Sequence, residues 1–406
     1  MRILLVNKYY YLKSGTERYL FNLRRLLEAE GHTVAVFTTQ HPENQPARYA
    51  HHFVPHADFH DIRGLDYFTT ALRVIWFPAA ARQMARVLDE FRPDIVHLFN
   101  IYHHLSPSIL VPIARRNIPI VQTLNDYKLM CPNYLLYTNG TPCTRCRNRF
   151  YVQAAQHRCL HGSLAWSMLA AAEMTLHKIL RVYERHVTIF IAPSAFVRNT
   201  AEAFGLASAQ LVQIPYFLFT EDFVPSEADD VYFAYVGRLS YEKGLATLLR
   251  AVRQVPQARL WIVGEGPMRF ALEQMTKEWK LTNVLFTGYL VGDALEQALA
   301  RARFTVLPSE WYEVFGQSIL ESFVMAKPVV AARIGGIPEL VEDGVDGLLF
   351  QPGAEDELAA CLRRLWDHPQ IAQEMGLNGR RKVLARYDAA RHYAEISALY
   401  ERLADG

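Results

Sequence analysis

The chain has 406 residues, 51% of them hydrophobic and 21% charged, a composition typical of globular proteins and unlike that of disordered or fibrous ones. This length suits two domains, each large enough to bury its own core without disulfide bonds or metal ions. The net charge of +2 is unevenly distributed, because residues 1–220 hold 23 Lys and Arg against 14 Asp and Glu. Such a basic first half suits an acidic partner, such as a membrane surface, a lipid phosphate or a nucleic acid, unless it is simply a solvated face.

No apolar run approaches the ~18 residues that a membrane-spanning helix needs. The first such run, Ile3–Val6, has the length of a strand and is not followed by a signal-peptide cleavage pattern. From the sequence we therefore expect a cytoplasmic protein, and peripheral contact with the inner face of a membrane is a further expectation.

Strand and helix patterns alternate from the start of the chain. Leu20, Leu23 and Leu27 recur at helical spacing, and Gly31 predicts the end of that helix. The alternation predicts βαβ units, in which a parallel sheet carries helices on both faces. The strands predicted in the first half are Arg2–Asn7, His32–Thr39, Pro93–Phe99 and Pro119–Leu124.

The alternation restarts after residues 214–230, which are rich in Pro, Asp and Glu and predict a linker. We therefore predict an α/β fold of two Rossmann-like, doubly wound domains, residues 1–215 and 225–385, with a C-terminal helix at 386–406 that packs back on the first domain. Ligands of such sheets bind outside the carboxyl ends of the strands, so a cleft between two facing domains is the expected site. The strands predicted in the second domain are Val231–Gly237, Leu260–Gly264, Val284–Gly288, Phe304–Pro308 and Pro328–Ala332.

The loop after the first strand of the second domain has the sequence GRLSYEKG and runs from Gly237 to Gly244. It carries two cations, Arg238 and Lys243, beside the start of a helix, where amide groups and the helix dipole favour an anion. An Arg offers a fork of donors and a Lys a point charge, a pair suited to a diphosphate. The alternative is that both are ordinary surface cations of a loop.

Two carboxylates, Glu313 and Glu321, lie eight residues apart across a predicted strand-to-helix turn. Glu313 falls in the loop, whereas Glu321 falls about two turns into the helix and can accept two hydrogen bonds, as from a ribose diol. Alternatively, Glu313 is an acid favoured by the helix dipole and Glu321 is a buried structural residue. A second candidate anion loop, Ser14-Gly15-Thr16, follows the first strand of the chain.

Taken in order, the GRLSYEKG loop, the VGEGP turn at Val263–Pro267, the two glutamates and the segment GGIPELVEDGVDG resemble family 4 of the retaining glycosyltransferases, which share the GT-B fold. The resemblance is dense from Val231 to Gly353 and thinner through the first domain. It implies a retaining, hexosyltransferase-type enzyme that moves a sugar from a UDP- or GDP-linked donor to a polysaccharide, glycolipid or small-molecule acceptor. Nucleic acid is not an expected partner. Because no Asp-x-Asp motif follows a strand, no divalent metal is implied for catalysis.

The same resemblance implies roles for individual residues. Arg238 and Lys243 would bind the donor diphosphate and stabilise the leaving group, while Glu321 would hold the ribose hydroxyls. Glu313 would face the donor sugar. His97, at the end of a first-domain strand, matches a family histidine of the cleft and would be catalytic, with a satisfied core histidine as the alternative. The other implied donor-binding residues are Gly15, Gly237 and, through their amides, Val314, Phe315 and Gly316.

Departures from the family pattern fall on the acceptor side. Ser14 stands where many relatives have a first glycine, and Phe99 and Asn125 stand where histidines are expected. These changes put the acceptor chemistry of the first domain in question. The acceptor-side residues that we expect are His103, His104, Asn125 and Asp126.

Four of the five cysteines, Cys131, Cys143, Cys146 and Cys159, cluster in an insertion at residues 131–161. The C-x2-C spacing of the middle two favours a metal over a disulfide bond in a cytoplasmic protein. Four thiolates predict a structural zinc site that would fold this small loop, and His157 or His161 could replace one of them as a ligand. Metal-free thiols, a disulfide bond and an iron–sulfur cluster are the alternatives. No cofactor is expected for catalysis itself.

Two other functions stay open on this sequence. One is a sugar-nucleotide epimerase on the same two-domain architecture. The other is a nucleotide-sugar-binding or assembly subunit whose acceptor chemistry was lost with Phe99 and Asn125. A dinucleotide-dependent dehydrogenase is disfavoured, because no G-x-G-x-x-G motif follows the first strand.

Overall fold

Two six-stranded parallel sheets divide the protein into two units, which confirms the predicted α/β fold. The computed structural model describes residues 1–56, 72–148, 151–226 and 229–405. Unit 1 comprises Met1–Leu136, Thr144–Pro215 and His392–Gly406, and unit 2 comprises Tyr137–Cys143 and Tyr216–Arg391. Parts of the predicted first domain and of its cysteine-rich insertion, residues 57–71 and 149–150, lie outside the described residues.

Most strands of the first 215 residues build the sheet of unit 1. They are β1 (Arg2–Val6), β2 (Thr33–Phe37), β3 (Ile95–Leu98), β4 (Ile120–Thr123), β5 (Tyr137–Thr138), β6 (Thr141–Pro142), β7 (Ile189–Ala192) and β8 (Leu211–Gln213). The strands β5 and β6 pair as an antiparallel hairpin, whereas the other six form a parallel sheet in the order β2-β1-β3-β4-β7-β8. Its central strands are buried, as expected when helices cover both faces. The strand order reverses at β1 and β3, so the loops that leave these strands flank a switch point.

The helices of unit 1 carry apolar side chains on one face. In α1 (Gly15–Ala29) Leu20, Leu23 and Leu27 are buried, and the chain leaves the helix at Gly31 with a φ of +82°, as the sequence predicts. The helices that follow in this part of the chain are α2 (Pro78–Phe91), α3 (Tyr102–Leu105), α4 (Leu110–Ala114), α5 (Val152–Gln156), α6 (Leu164–Leu180), α7 (Val182–His186) and α8 (Ala195–Ala203).

Unit 2 repeats the doubly wound arrangement. Its strands are β9 (Phe233–Val236), β10 (Leu260–Val263), β11 (Val284–Gly288), β12 (Thr305–Leu307), β13 (Val329–Ala332) and β14 (Gly347–Phe350). They lie in the order β11-β10-β9-β12-β13-β14, that of a Rossmann sheet, with the switch point between β9 and β12. Every predicted strand is present within two residues of its predicted ends, whereas β7, β8, β14 and the hairpin were not predicted.

The helices of unit 2 alternate with these strands. They are α9 (Leu245–Arg253), α10 (Arg269–Glu278), α11 (Asp293–Ala300), α12 (Gln317–Val324), α13 (Ile337–Leu340), α14 (Glu355–Asp367) and α15 (Pro369–Arg386). The last helix of the chain, α16 (Ala389–Ala404), belongs to unit 1 from His392 onward. There the His392 ring lies 3.2 Å from the Tyr19 hydroxyl through Nε2 and 2.9 Å from the Pro215 carbonyl through Nδ1.

One short segment lies in a different unit from the one its position predicts. The hairpin at Tyr137–Cys143 comes from the middle of the predicted first domain but belongs to unit 2. Its Tyr137 is buried, and burial together with the charges of Glu310 and Glu242 raises the pKa of this phenol to about 12. Spatial neighbours, and not sequence position, therefore decide the unit of this hairpin.

Candidate functional site

The switch point of unit 2 brings two loops together at the carboxyl ends of neighbouring strands. The first loop, Gly237–Gly244, leads from β9 to α9, and the second, residues 308–316, leads from β12 to α12. The two strongest sequence motifs therefore meet at one edge of one sheet.

Glycines allow the first loop to lie against neighbouring backbone. A Cβ atom at Gly264 would lie 2.0 Å from the carbonyl oxygen of Gly237, and one at Gly244 would lie 1.8 Å from the carbonyl oxygen of Pro308. Gly244 also has a φ of +69°, a conformation that other residues rarely adopt. In the loop held this way, Arg238 is exposed and Lys243 is partly exposed.

An ion pair joins the two loops. The Lys243 ammonium lies 2.6 Å from the Glu313 carboxylate and 5.0 Å from the centre of the Trp311 ring. The Ser309 hydroxyl donates to the same carboxylate oxygen at 2.5 Å. Burial acts to raise the pKa of Glu313, but Lys243 and the hydrogen bonds hold it below its ordinary value. Glu313 is thus a buried anion, and it fixes the position of the lysine.

A glycine turn supports the backbone of Glu313. The amide of Gly336 donates to the Glu313 carbonyl at 2.8 Å. A Cβ atom at Gly335, which has a φ of +60°, would lie 2.4 Å from both the nitrogen and the oxygen of Glu313. The GGIPE segment therefore supports the backbone beneath the ion pair.

The start of α12 completes this edge of unit 2. Gly316 precedes the helix with a φ of +103°, which is not helical. The first amides of α12 therefore have no preceding helical turn whose carbonyl groups could accept from them. Val314 and Phe315 are buried, the latter against Tyr216 at 5.2 Å between ring centroids. Glu321 is buried within the same helix.

The predicted anion loop of unit 1 is held by hydrogen bonds to Glu17 of the helix that follows it. Its Ser14 hydroxyl donates to Glu17 at 2.5 Å, and the Asn7 side chain donates to the other Glu17 oxygen at 2.9 Å. Glu17 is almost fully buried, whereas Gly15 is exposed at the first position of α1. This network fixes the start of α1 and leaves the Gly15 backbone at the surface.

His97, the first-domain residue expected to be catalytic, lies inside the core of unit 1. Its side chain is fully buried, stacked on Phe99 at 4.7 Å. Its Nδ1 lies 2.5 Å from the Tyr400 hydroxyl and its Nε2 lies 2.7 Å from the Thr123 hydroxyl, so both ring nitrogens have partners. Burial, followed by the charge of His392, lowers the pKa of His97 to about 3. These surroundings favour the alternative of a satisfied core histidine, and a catalytic role for His97 stays a prediction.

Acid is expected to destabilise unit 1 through these buried histidines. Burial lowers the pKa of His97 to about 3 and that of His392 to about 4, whereas an unfolded histidine titrates near 6.5. The unfolded chain therefore takes up protons first, and stability falls as the pH drops from 6.5 towards 4, by on the order of several kcal/mol. Urea unfolding followed at pH 7.5, 6, 5 and 4 measures this loss. Replacing His392 by Gln should flatten the dependence, and replacing the exposed His368 should not; an unchanged slope in the first variant would contradict the assignment.

The expected acceptor-side residues lie around a buried ion pair at the edge of unit 1. Lys128 and Glu173 are both buried with 2.7 Å between nitrogen and oxygen, and His177 approaches the second Glu173 oxygen at 3.0 Å. His103 lies 3.8 Å from Glu173. Asn125 donates its side-chain amide to the Thr123 carbonyl at 3.1 Å. Glu173 thus holds Lys128 and His177 and has His103 nearby, whereas the described bond of Asn125 is local.

Asp126 and His104 have altered proton affinity at the same edge. Burial raises the pKa of Asp126, although the Lys128 amide, which donates to it at 2.9 Å, and the charge of Lys8 oppose the change. Burial lowers the pKa of His104 well below its ordinary value, and the charge of Lys8 adds to this effect. Such shifts are common where a protein binds or transforms a ligand.

An aromatic cluster at the switch point of unit 1 was not predicted. Tyr11 stacks on His41 at 4.5 Å, His56 stacks on His104 at 4.7 Å, and Tyr9 lies 5.4 Å from His56. These residues follow β1, β2 and β3, so they meet only because the strand ends do. The run of tyrosines directly after the first strand was the one signal that could have indicated it.

The four clustered cysteines differ in exposure. Cys131 and Cys146 are buried, whereas Cys143 and Cys159 are partly exposed, and Cys143 belongs to unit 2. Within the described residues, the group of potential ligands with atoms inside 4.8 Å of one another is His51, His52 and Glu90. That group is already joined by hydrogen bonding, since His52 lies 2.7 Å from Glu90. A zinc site of four thiolates stays a prediction.

Comparison with known proteins gives matches along nearly the whole chain. The model of "Glycosyltransferase Family 4" matches residues 13–221, and that of "Glycosyl transferases group 1" matches residues 219–382. The sulfoquinovosyl transferase SQD2 of Arabidopsis thaliana is 28% identical over 77% of this chain and 58% of its own length, so the chain spans little more than half of that relative. A glycogen synthase of Mycobacterium tuberculosis is 27% identical over 96% of this chain and 91% of its own.

A solved structure agrees with the fold. HepE of Anabaena, in complex with UDP and glucose, superposes with a TM-score of 0.68 at 20% identity, covering 99% of each chain. The likeness extends over both units.

Proposed function

Because the chain belongs to glycosyltransferase family 4, we propose that it is a retaining glycosyltransferase that moves a sugar from a nucleoside diphosphate donor to a glycan, lipid-linked or small-molecule acceptor. The observation that carries the proposal is the ion pair between the partly exposed Lys243 and the buried Glu313 at the switch point of unit 2, beside the exposed Arg238. A ligand in such a sheet binds at this edge.

The ion pair suits a leaving diphosphate. When the bond between the anomeric carbon and the phosphate oxygen breaks, its electron pair stays on the diphosphate, where negative charge develops. An ammonium has three N–H donors, so Lys243 can keep Glu313 and still donate to that oxygen. A cation already held in place needs little reorganisation at the moment of reaction, which is the main source of electrostatic catalysis. Arg238 and the first amides of α12 would add further donors.

The same pairing argues against Glu313 as a nucleophile. Its carboxylate is buried, accepts from Lys243 and Ser309, and has a pKa below the ordinary value. We therefore assign it to positioning the lysine, and assign the acceptor proton to an oxygen of the departing diphosphate. Fixed cations would supply the charge that the leaving group needs, so we expect no requirement for a divalent metal. Glu321 would bind the ribose hydroxyls.

The edge of unit 1 supports a carbohydrate acceptor. Aromatic faces such as those of Tyr9 and Tyr11 pack well against the C–H groups of a sugar ring, and polar groups such as Asp126 can fix its hydroxyls. The ammonium of Lys13, 4.0 Å from the centre of the Tyr9 ring, makes this surface cationic as well. We propose that the acceptor binds here, near His103, His104, Asn125 and Asp126. We also propose that the protein is cytoplasmic and that the four clustered cysteines hold a structural zinc ion.

Incubation with a panel of UDP-, GDP- and ADP-sugars tests the donor assignment. The expected result is slow release of the nucleoside diphosphate from one donor, unchanged by a chelator, because water replaces the missing acceptor. UDP-sugars are tested first, since HepE binds UDP. Chromatography of the products separates hydrolysis from epimerisation, which would change the sugar and leave the nucleotide attached.

The remaining outcomes separate the alternatives. Donor binding in calorimetry without release, even with added glycan acceptors, would favour a nucleotide-sugar-binding subunit. If no nucleotide sugar binds at all, the donor site at Lys243 and Glu313 is wrongly assigned.

A further inference from the structure

Helix α6 of unit 1 exposes an apolar face. Its exposed positions contain five large hydrophobic side chains, with Ile179 71% exposed, and between them lie only Ala and Thr. The five are Leu164, Met168, Leu176, Ile179 and Leu180. Isolated exposed apolar residues are common, but a continuous apolar stripe along a helix indicates an interaction surface.

The ionisable residues of α6 all point inward. Glu173 is paired with Lys128 and His177, and Lys178 lies 2.7 Å from Glu184 within the protein. A surface helix ordinarily buries its apolar stripe and exposes its charges. In α6 the distribution is reversed, so the outer face lacks any charged group that water would stabilise.

A neighbouring segment carries two more exposed apolar side chains. The His177 ring lies 2.9 Å from the carbonyl oxygen of Ile75, which places residues 72–76 against α6. In this segment Leu72 is 68% exposed and Trp76 is 40% exposed. Tryptophan is enriched where proteins meet the interface of a bilayer.

Cations flank this apolar surface at both ends of α6. Arg158 is exposed before the helix, and Arg181 and Arg185 are exposed after it. Within the described part of residues 151–186, the only acidic side chains are Glu173 and Glu184, and both are held in buried ion pairs. The described residues that flank α6 in sequence therefore expose guanidinium groups and no carboxylate.

We propose that the outer face of α6, with Trp76 beside it, docks unit 1 on an anionic lipid bilayer. The apolar side chains would enter the acyl boundary while the guanidinium groups contact lipid phosphates, as in interfacial helices. A second copy of the chain fits this face less well. Both ends of α6 carry arginines, so two such helices would place like charges against each other whether they paired parallel or antiparallel. Among the helices of the described residues, none combines the length and apolar character that a membrane crossing requires. The inference goes beyond the proposed transfer reaction, because docking needs neither donor nor acceptor.

Vesicle flotation of the purified full chain tests the proposal. The chain should float with phosphatidylcholine vesicles containing 30% phosphatidylglycerol and bind pure phosphatidylcholine vesicles far less. The double variant Ile179→Ser/Leu180→Ser should reduce the partition coefficient about tenfold or more, because two apolar side chains that would enter the bilayer are lost. Arg181→Gln/Arg185→Gln should give a similar loss on anionic vesicles only.

A matched control is available in unit 2. Phe270 and Leu377 are 74% and 47% exposed, close to the values of Ile179 and Leu180, so Phe270→Ser/Leu377→Ser removes a comparable exposed apolar surface. This control should float like the parent, and thermal unfolding checks that every variant is folded. Equal flotation of the parent and the α6 variant overturns the proposal. A concentration-dependent dimer in light scattering that the α6 variant abolishes also overturns it, since the face would then belong to a second copy.

Discussion

Replacing Lys243 by Ala is expected to lower kcat/KM for sugar transfer about 10²–10³-fold, the loss typical when one fixed donor to a developing charge is removed. The variant should also lose about 3 kcal/mol of stability, because Glu313 then stays buried without its partner. Initial rates with the donor found in the release assay, together with urea unfolding, measure the two effects.

A second substitution separates catalysis from stability. Burial acts to raise the pKa of Glu313, and the charge of Lys243 is the largest effect that opposes this rise. Without Lys243 the carboxylate would be poorly compensated. Changing Glu313 to Gln in the Lys243→Ala background removes the stranded charge, so stability should recover in large part. Activity should not recover, because the cation at the leaving group is still missing. A double variant that regains both would show that the ion pair serves only the fold.

Lys277 provides the matched control for this experiment. It is exposed on α10 of the same unit, so Lys277→Ala removes one cation without disturbing the switch point. Its activity should equal that of the parent. If Lys277→Ala and Lys243→Ala reduce the rate alike, general electrostatics and not a positioned ammonium explain the effect.

The fold could be predicted from the sequence where local pattern decides it. Strands such as β1 and β4 are short apolar runs bounded by turns, and parallel sheets bury them on both faces. The strand β8 has only three residues, and such a run carries little periodicity. The hairpin at Tyr137–Cys143 could not be placed, because its membership of unit 2 depends on neighbours distant in sequence.

For the candidate site, the sequence indicated the residue types but not their pairing. The positions of Arg238, Lys243 and Glu313 in loops after strands follow from the βαβ pattern. The hydrogen bond of Lys243 to Glu313 spans 70 residues and exists only because β9 and β12 are neighbours across the switch point. The sequence suggested that Lys243 binds the diphosphate and that Glu313 faces the donor sugar. In the structure, Glu313 instead holds Lys243 in position.

The surroundings of His97, another residue of the family motifs, depend on a helix that is remote in sequence. Its strand position resembles that of a cleft residue, yet Tyr400, 303 residues later, closes over it. The aromatic cluster at Tyr9, His41 and His104 is equally non-local, since each residue follows a different strand. In both cases tertiary packing decides the surroundings, and no spacing along the chain records it.

Replacing Gly244 by Ala is expected to cost about 3–4 kcal/mol of stability and most of the transferase activity. The φ of +69° alone disfavours alanine by about 1 kcal/mol. The new methyl group would in addition lie 1.8 Å from the Pro308 carbonyl oxygen, so backbone must move at a tightly packed point. Pro308 precedes Ser309, which donates to Glu313, and the displacement should therefore loosen the support of Lys243.

Gly353 isolates the conformational part of this effect. It has a φ of +78°, close to that of Gly244, but a Cβ atom there would meet nothing within 4 Å. Gly353→Ala should therefore lose only about 1 kcal/mol and keep its activity. Thermal unfolding and donor hydrolysis of both variants measure the difference. If the two variants behave alike, close approach of the loop to β12 does not hold the site together, and the ion pair must be positioned by its own hydrogen bonds alone.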